Sequence, residues 1–209
     1  MRKVLILYAH PAPEKSRVNV RLAKAVRGLP GVTFHDLYEA YPDFHVDVKR
    51  EQRMLEGHDI IVFQHPFYWY SSPALLKEWQ DLVLEYGWAY GKGGEALAGK
   101  SMMNAITTGG PREAYSPDGY NRFTIRQFLA PFDQTAHLCR MRYLAPFVIH
   151  RSLAILEDAQ CRPFAETYRS VVTGLADGSV DLEAAAKAER INDCLAPGPV
   201  AAGDAKARA

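Results

Sequence analysis

Five apolar runs recur along the chain, and each gives way to a loop and then to residues at helical spacing. Lys3 to Ala9, Val32 to Asp36, Ile60 to Phe63, Ser101 to Thr107 and Tyr143 to Ile149 are short and rich in apolar residues. Strands buried on both faces of a sheet have this character. Between the first two, Val18, Leu22, Ala25 and Val26 share one helical face, which Gly28 and Pro30 close. A turn-rich connection over Tyr38 to Asp47 leads into a helix from about Asp47 to Glu56, ended by Gly57. After the third run, Ser72 and Pro73 read as cap and first residue of a helix carrying Leu75, Leu76, Trp79, Leu82 and Val83 on one stripe. A further helix reaches about Cys139, restarting at Pro131, and another spans Leu156 to Val172 with Pro163 near its start. Strands alternating with helices predict an α/β fold: a doubly wound, five-stranded parallel sheet in the order 2-1-3-4-5, with helices on both faces.

In that order the loops after strands 1, 3 and 4 are neighbours at the carboxyl edge, where ligands of open α/β sheets bind. The first loop, from His10 to Lys15, holds two prolines and runs into Ser16, a residue suited to cap the following helix. Unpaired N–H groups and the positive end of the helix dipole make such a junction an anion site. His10, Ser16 and Asn19 are its polar side chains, although each alone could equally be a strand-end, capping or surface residue. Neither a Gly-x-Gly-x-x-Gly fingerprint nor a Walker A sequence is present. The third run breaks at His65-Pro66 into four consecutive aromatic residues, Phe67, Tyr68, Trp69 and Tyr70, which suit a flat partner. The fourth ends in Thr107-Thr108-Gly109-Gly110, whose glycines let the backbone approach a ligand and aim N–H groups at it. A phosphate site, an aromatic wall and a glycine-lined edge together suit flavin mononucleotide.

Charge and composition narrow the field. Twenty-five basic residues against twenty-four acidic ones leave no basic stripe for nucleic acid, and no acidic surplus for a one-electron flavodoxin-type carrier. Three widely spaced cysteines offer neither a disulfide framework nor metal-ligand spacing, so no metal is expected, and Cys139 reads as a small core residue. No run is long and apolar enough to span a bilayer, and Met1-Arg2-Lys3 leads straight into the first strand. The expectation is a cytoplasmic protein.

The stretch from Lys3 to about His150 resembles the flavodoxin-like NAD(P)H:quinone oxidoreductases. It is most similar to the ancillary oxidoreductases of bacterial glutathione-gated potassium-efflux systems. The motifs that carry the likeness are Tyr8-Ala9-His10-Pro11 with Ser16 to Asn19, Leu37-Tyr38 with Tyr41-Pro42-Asp43-Phe44, Gln64-His65-Pro66 with Trp69-Tyr70, Gly87-Trp88-Ala89-Tyr90-Gly91, and Thr107 to Gly110. The resemblance implies FMN or FAD, held by His10, by Ser16, Arg17, Val18 and Asn19, by Phe67 to Tyr70, and by Thr107 to Gly110. NADH or NADPH would give it a hydride, and a quinone would then take two electrons in ping-pong fashion. A homodimer is also implied, with Trp88 and Tyr90 walling the substrate pocket. Tyr115 matches a catalytic tyrosine of the animal enzymes, whereas their histidine position falls on Asn121. The likeness further implies a membrane potassium-efflux transporter as a partner, and peripheral location at the inner membrane through it.

From Gly174 the composition shifts to Ala, Gly, Asp and Lys. The expected organisation is a flavin-binding domain over residues 1–173 and a C-terminal extension over 174–209. In the extension, Leu182 to Ile191 reads as helical and Pro197 to Ala209 as disordered.

Overall fold

The computed structural model describes residues 1–194; the tail expected to be disordered lies outside them. Strand β1 (Val4–Tyr8) pairs in parallel with β2 (Val32–Asp36) on one side and with β3 (Ile60–Pro66) on the other. Beyond β3 lies β4 (Ser101–Thr107), and the fifth place is shared by β5 (Arg142–Tyr143) and β6 (Phe147–Ile149), both parallel to β4. The order is 2-1-3-4-5, as the alternation of elements predicts, with six strand segments rather than five.

Alternation along each strand builds two cores. Leu5, Leu7, Ile61 and Phe63 face one side, with Leu55, Leu75, Trp79 and Phe132 packed on them. Val4, Ile6, Ile60 and Val62 face the other, against Leu22, Val26, Tyr168 and Val172. The first set of partners comes from α3 (Val48–Glu56), α4 (Ala74–Val83) and α6 (Ala130–Leu138). The second comes from α1 (Val18–Val26) and α7 (Asp158–Asp177). Each fully buried Leu or Ile contributes roughly 1.5–3 kcal/mol of transfer free energy, so both layers are needed to stabilise the sheet.

Several elements depart from expectation for identifiable reasons. β3 does not break at His65 but runs on through Pro66, and all of it is buried. The Gln64 carbonyl accepts from Ala9 N–H on the β1 side, and Phe67 N–H bonds to the Thr107 carbonyl on the β4 side. By alternation Pro66 faces the β1 side, where β1 has already ended, so its missing donor costs nothing. Between Tyr38 and Asp47 the chain makes one turn of helix, α2 (Leu37–Ala40), because Asp36 Oδ1 accepts from the N–H groups of Tyr38 and Glu39. Ser72 does not cap α4; the hydroxyl of Tyr38 takes the Leu75 N–H at 3.4 Å instead. Leu82 falls off the buried stripe and is exposed, whereas Leu75, Leu76, Trp79 and Val83 are buried as expected.

The helix expected to reach Cys139 is two pieces, α5 (Ile125–Phe128) and α6, with Pro131 in the first turn of the second. The expected fifth strand breaks at Pro146: Leu144 N–H bonds the Met102 carbonyl of β4, so by alternation the next donor toward β4 falls on Pro146, which has none. The expected junction at residues 173–174 falls inside α7, which reaches Asp177 and closes at Gly178 in a left-handed conformation. Gly174 is buried there, and a Cβ at that position would meet Val180 at 2.7 Å, so the chain folds back tightly across it. α8 (Leu182–Lys187) and the turn Ile191–Cys194 then pack beside β6, where the Asn192 amide bonds both the N–H and the carbonyl of Val148.

Candidate functional site

The three loops meet at the carboxyl edge of the sheet. At the first, His10 is buried and its Nδ1 accepts from Ala12 N–H at 3.1 Å, so the ring proton sits on Nε2. Burial lowers its pKa from the ordinary value and so favours the neutral ring, an effect that Glu14 partly opposes. Ser16 caps α1 through Oγ, which accepts from Asn19 N–H at 3.2 Å. The N–H groups of Arg17 and Val18 in the same turn have no partner within the helix. Asn19 is buried, donates to Thr107 Oγ1 at 2.8 Å, and so ties the first loop to the end of β4. Behind it, Gln64 donates to the Asn19 carbonyl and accepts from the Tyr168 hydroxyl, a polar strut running from α7 to the strand ends. Two buried side-chain atoms lack a partner among the described residues, Tyr8 Oη and Asn19 Oδ1, and both flank this loop.

The second loop is strained. Trp69 and Tyr70 lie in succession at φ 48° and 63°, where an L-residue is disfavoured by about 1–3 kcal/mol. Trp69 is nonetheless 92% exposed, so its own packing does not offset that cost. Tyr70 stacks on Phe128 at 4.8 Å, and its hydroxyl donates to Asn121 Oδ1 at 3.2 Å. Phe67 is buried among Tyr70, Tyr115 and Phe128, and Tyr68 meets the His10 ring edge-on. The strand end beneath is held by His65, whose Nδ1–H donates to the Pro66 carbonyl while Nε2 accepts from Asn104. Tyr143 donates to Asn104 Oδ1 at 2.7 Å, and burial holds the His65 pKa down at about 4. Replacing Trp69 with glycine should leave the melting temperature unchanged or raised, because the left-handed backbone is relieved and little packing is lost. Any ligand that rests on the indole should bind several-fold more weakly to the variant. Thermal melts with and without that ligand separate the two effects.

At the third loop Thr107 and Thr108 are buried, Gly109 is exposed and Gly110 is half-buried. A Cβ at Gly110 would lie 3.2 Å from the Tyr115 ring, so a side chain there would press on that ring by a few tenths of an ångström. Burial raises the Tyr115 pKa, partly offset by the Thr108 hydroxyl and by the Gly110 N–H facing its oxygen. His150, which follows β6, stands beside this group: its Nδ1 is 3.1 Å from Thr108 Oγ1, and its ring centroid is 5.6 Å from that of Tyr115. Sequence reasoning did not select His150. The signal was available, since the predicted strand order already put the end of strand 5 next to that of strand 4.

Most of the expected site residues thus converge, with distinctions. Val18 is a core residue whose backbone alone faces the loop, and the Arg17 guanidinium reaches away to the Leu156 carbonyl at 2.8 Å. Asn121 lies against Tyr70. Trp88 and Tyr90 sit between the end of α4 and the start of β4, at the opposite, amino-terminal edge of the sheet. There the Trp88 indole donates to Glu56 at the end of α3. Within one chain they do not join the three loops.

A family model described as a flavodoxin-like fold matches residues 2–171. The chain belongs to this flavodoxin-like family. It is 49% identical over 167 residues to the glutathione-regulated potassium-efflux system ancillary protein KefG of Pectobacterium carotovorum subsp. carotovorum (strain PC1), covering 78% of this chain and 91% of that relative. Among solved structures of the same fold, general stress protein 14 of Treponema denticola, in complex with FMN, superposes with a TM-score of 0.78 at 39% identity, over 83% of this chain and 99% of that one. An NADPH-quinone reductase from P. pentosaceus superposes with a TM-score of 0.73 at 31% identity, over 83% and 97% of the two chains. The flavodoxin-like match ends before α8. Among the described residues no helix is long and apolar enough to cross a membrane, and no cluster of three or more His, Cys, Asp or Glu could hold a metal ion.

Proposed function

We propose that the protein is an FMN-dependent NAD(P)H oxidoreductase that reduces quinones or similar electrophiles by two electrons, in ping-pong fashion. The observation that carries this reading is the strained Trp69-Tyr70 pair, an exposed indole held against backbone preference in a loop whose Tyr68 meets His10, ahead of the capped helix. Similarity to an FMN complex and to a quinone reductase supports it.

The residues present fit the cofactor. Phosphate would be held by the N–H groups of Arg17 and Val18, the Ser16 hydroxyl and the Nε2–H of His10. Exchanging the Asn19 amide N and O leaves its contact with Thr107 intact and turns the orphaned atom into a donor for the same region. Trp69 and Tyr70 would wall the ring and exclude water, and the Gly109 N–H would stabilise negative charge at its edge. FMN bound here would supply the chemistry of hydride acceptance from a nicotinamide and two-electron transfer to the acceptor. Tyr115, backed by Thr108 and His150, would hold a proton at that edge. A second copy in a homodimer would bring Trp88 and Tyr90 to the pocket from outside.

The test is an absorption spectrum of the purified protein, before and after NADPH is added without oxygen. Flavin bands that bleach are expected; a colourless protein that neither FMN nor FAD reconstitutes would overturn the reading. The likeness to a potassium-efflux ancillary protein favours a second, compatible role as a peripheral activator of such a transporter. Holo protein that fails to bind the transporter's cytoplasmic domain in a pull-down would exclude that role.

A further inference from the structure

Beside Tyr115 and His150, three arginines line one cleft, Arg112, Arg126 and Arg190, together with Glu189. They come from separate parts of the chain. Arg112 follows the glycine pair, Arg126 stands on α5, and Arg190 and Glu189 follow α8, beyond the span matched by the family. Arg126 is fixed in place by one guanidinium nitrogen, which donates to the carbonyls of Ala186 and Ala188 at 3.2 and 2.7 Å. Its remaining N–H groups are uncommitted, and no carboxylate pairs with it among the described residues. Arg190 is held rigid by a fork to Asp193, at 3.1 and 2.8 Å, with only 13% of its side chain exposed. Arg112 meets Glu189 at 3.5 Å, and both are exposed, so that pair is weak and easily displaced.

Preset guanidinium groups are the donors that match the oxygens of a phosphate, sulfonate or carboxylate. A latch for the C-terminal segment explains the Arg126 carbonyl contacts, the Arg112–Glu189 pair and the local Arg190–Asp193 fork, but not the uncommitted N–H groups of Arg126 in a cleft shared with Tyr115 and His150. We propose that this cleft binds an oxyanion carried by the molecule that occupies the space beside Tyr115, and that the segment after α8 supplies part of the binding site. The proposal rests on the reductase reading for the identity of that molecule. Glu189 stands in for the oxyanion at Arg112 and gives way when the ligand arrives.

The test uses full-length, FMN-loaded protein with Arg112→Gln and Glu189→Gln, exposed positions where the fold is not at stake. Arg112→Gln should raise KM for the anionic substrate about five- to tenfold, the loss of one charge-assisted hydrogen bond. Glu189→Gln removes the competing carboxylate and should lower the same KM two- to threefold. The opposite signs separate recognition from mere loosening. Two arms distinguish the source of the anion. If KM for NADH and NADPH moves, the dinucleotide phosphates occupy the cleft. If KM for 1,4-naphthoquinone-2-sulfonate moves while that for uncharged menadione does not, the acceptor's anion occupies it. Either result supports the proposal; KM values for every substrate that stay put in both variants overturn it. Should the wild type oxidise no nicotinamide at all, the reductase reading fails by itself. The cleft is then decided by calorimetric titration with inorganic pyrophosphate. Binding that weakens fivefold or more in Arg112→Gln sustains an oxyanion site, and no binding to the wild type sinks it.

Discussion

Replacing Glu51 with leucine should destabilise the protein by about 3–5 kcal/mol, the cost of removing one member of a buried charged network. Glu51 lies on α3 and is fully buried. Its carboxylate accepts from His35 Nε2 at 2.9 Å, the Tyr41 hydroxyl at 2.6 Å and Trp79 Nε1 at 2.8 Å. Those donors belong to β2, to the turn after α2 and to α4, so one side chain fastens three elements on the same face of the sheet. Leucine fills the volume but orphans every donor. Glutamine keeps the Oε1 contacts while turning an N–H toward the Trp79 indole, and should cost about 1–3 kcal/mol. Acid provides an independent check. Burial pushes the Glu51 pKa up, but hydrogen bonds from His35, Tyr41 and Trp79 outweigh it and hold the carboxyl below its ordinary 4.5. A depressed carboxylate pKa contributes stability that is complete above the unfolded value and is lost as pH falls through the folded one. The gap between wild type and Glu51→Gln should therefore narrow as pH falls below about 4.5. Urea midpoints on either side of that pH measure it.

Ser16→Asp is expected to abolish FMN retention without harming the fold. Aspartate caps a helix as well as serine does and complements the dipole, so apo stability should hold or rise slightly. It also sets a negative charge where the phosphate would sit. Two like charges about 5 Å apart at an effective dielectric near 20 repel by about 3 kcal/mol, roughly a hundredfold in Kd. Fluorescence titration with FMN and a melt of the apo protein read both quantities. An affinity within threefold of wild type would remove the phosphate from this helix terminus.

The sheet order and the position of the three loops were legible because they follow from local patterns: apolar runs, a capped helix and a glycine pair. The two prolines were deceptive in opposite directions. Pro66 reads as a break and is not one, since no neighbour needs its N–H; Pro146 sits inside an apolar run and does break it. A proline rule depends on which neighbour faces the residue, which only the assembled sheet shows. Tyr38 capping α4 in place of Ser72 is the same lesson across 37 residues of chain. Glu51 gave no signal at all, because a charged residue on a helix reads as solvated until three distant donors close on it. His150 follows the last strand rather than lying in one of the three loops, so loop motifs do not point to it.

The Asn192 amide that bonds both polar groups of Val148 has a consequence for solubility. β6 is the last strand of its sheet, three apolar residues whose outward N–H and carbonyl would otherwise invite a strand from another molecule. The side chain imitates that missing neighbour and leaves nothing for a second chain to extend. A protein ending at residue 180 would lose this cover along with α8. It should self-associate through β6 on concentration, visible by light scattering, where the full chain stays dispersed.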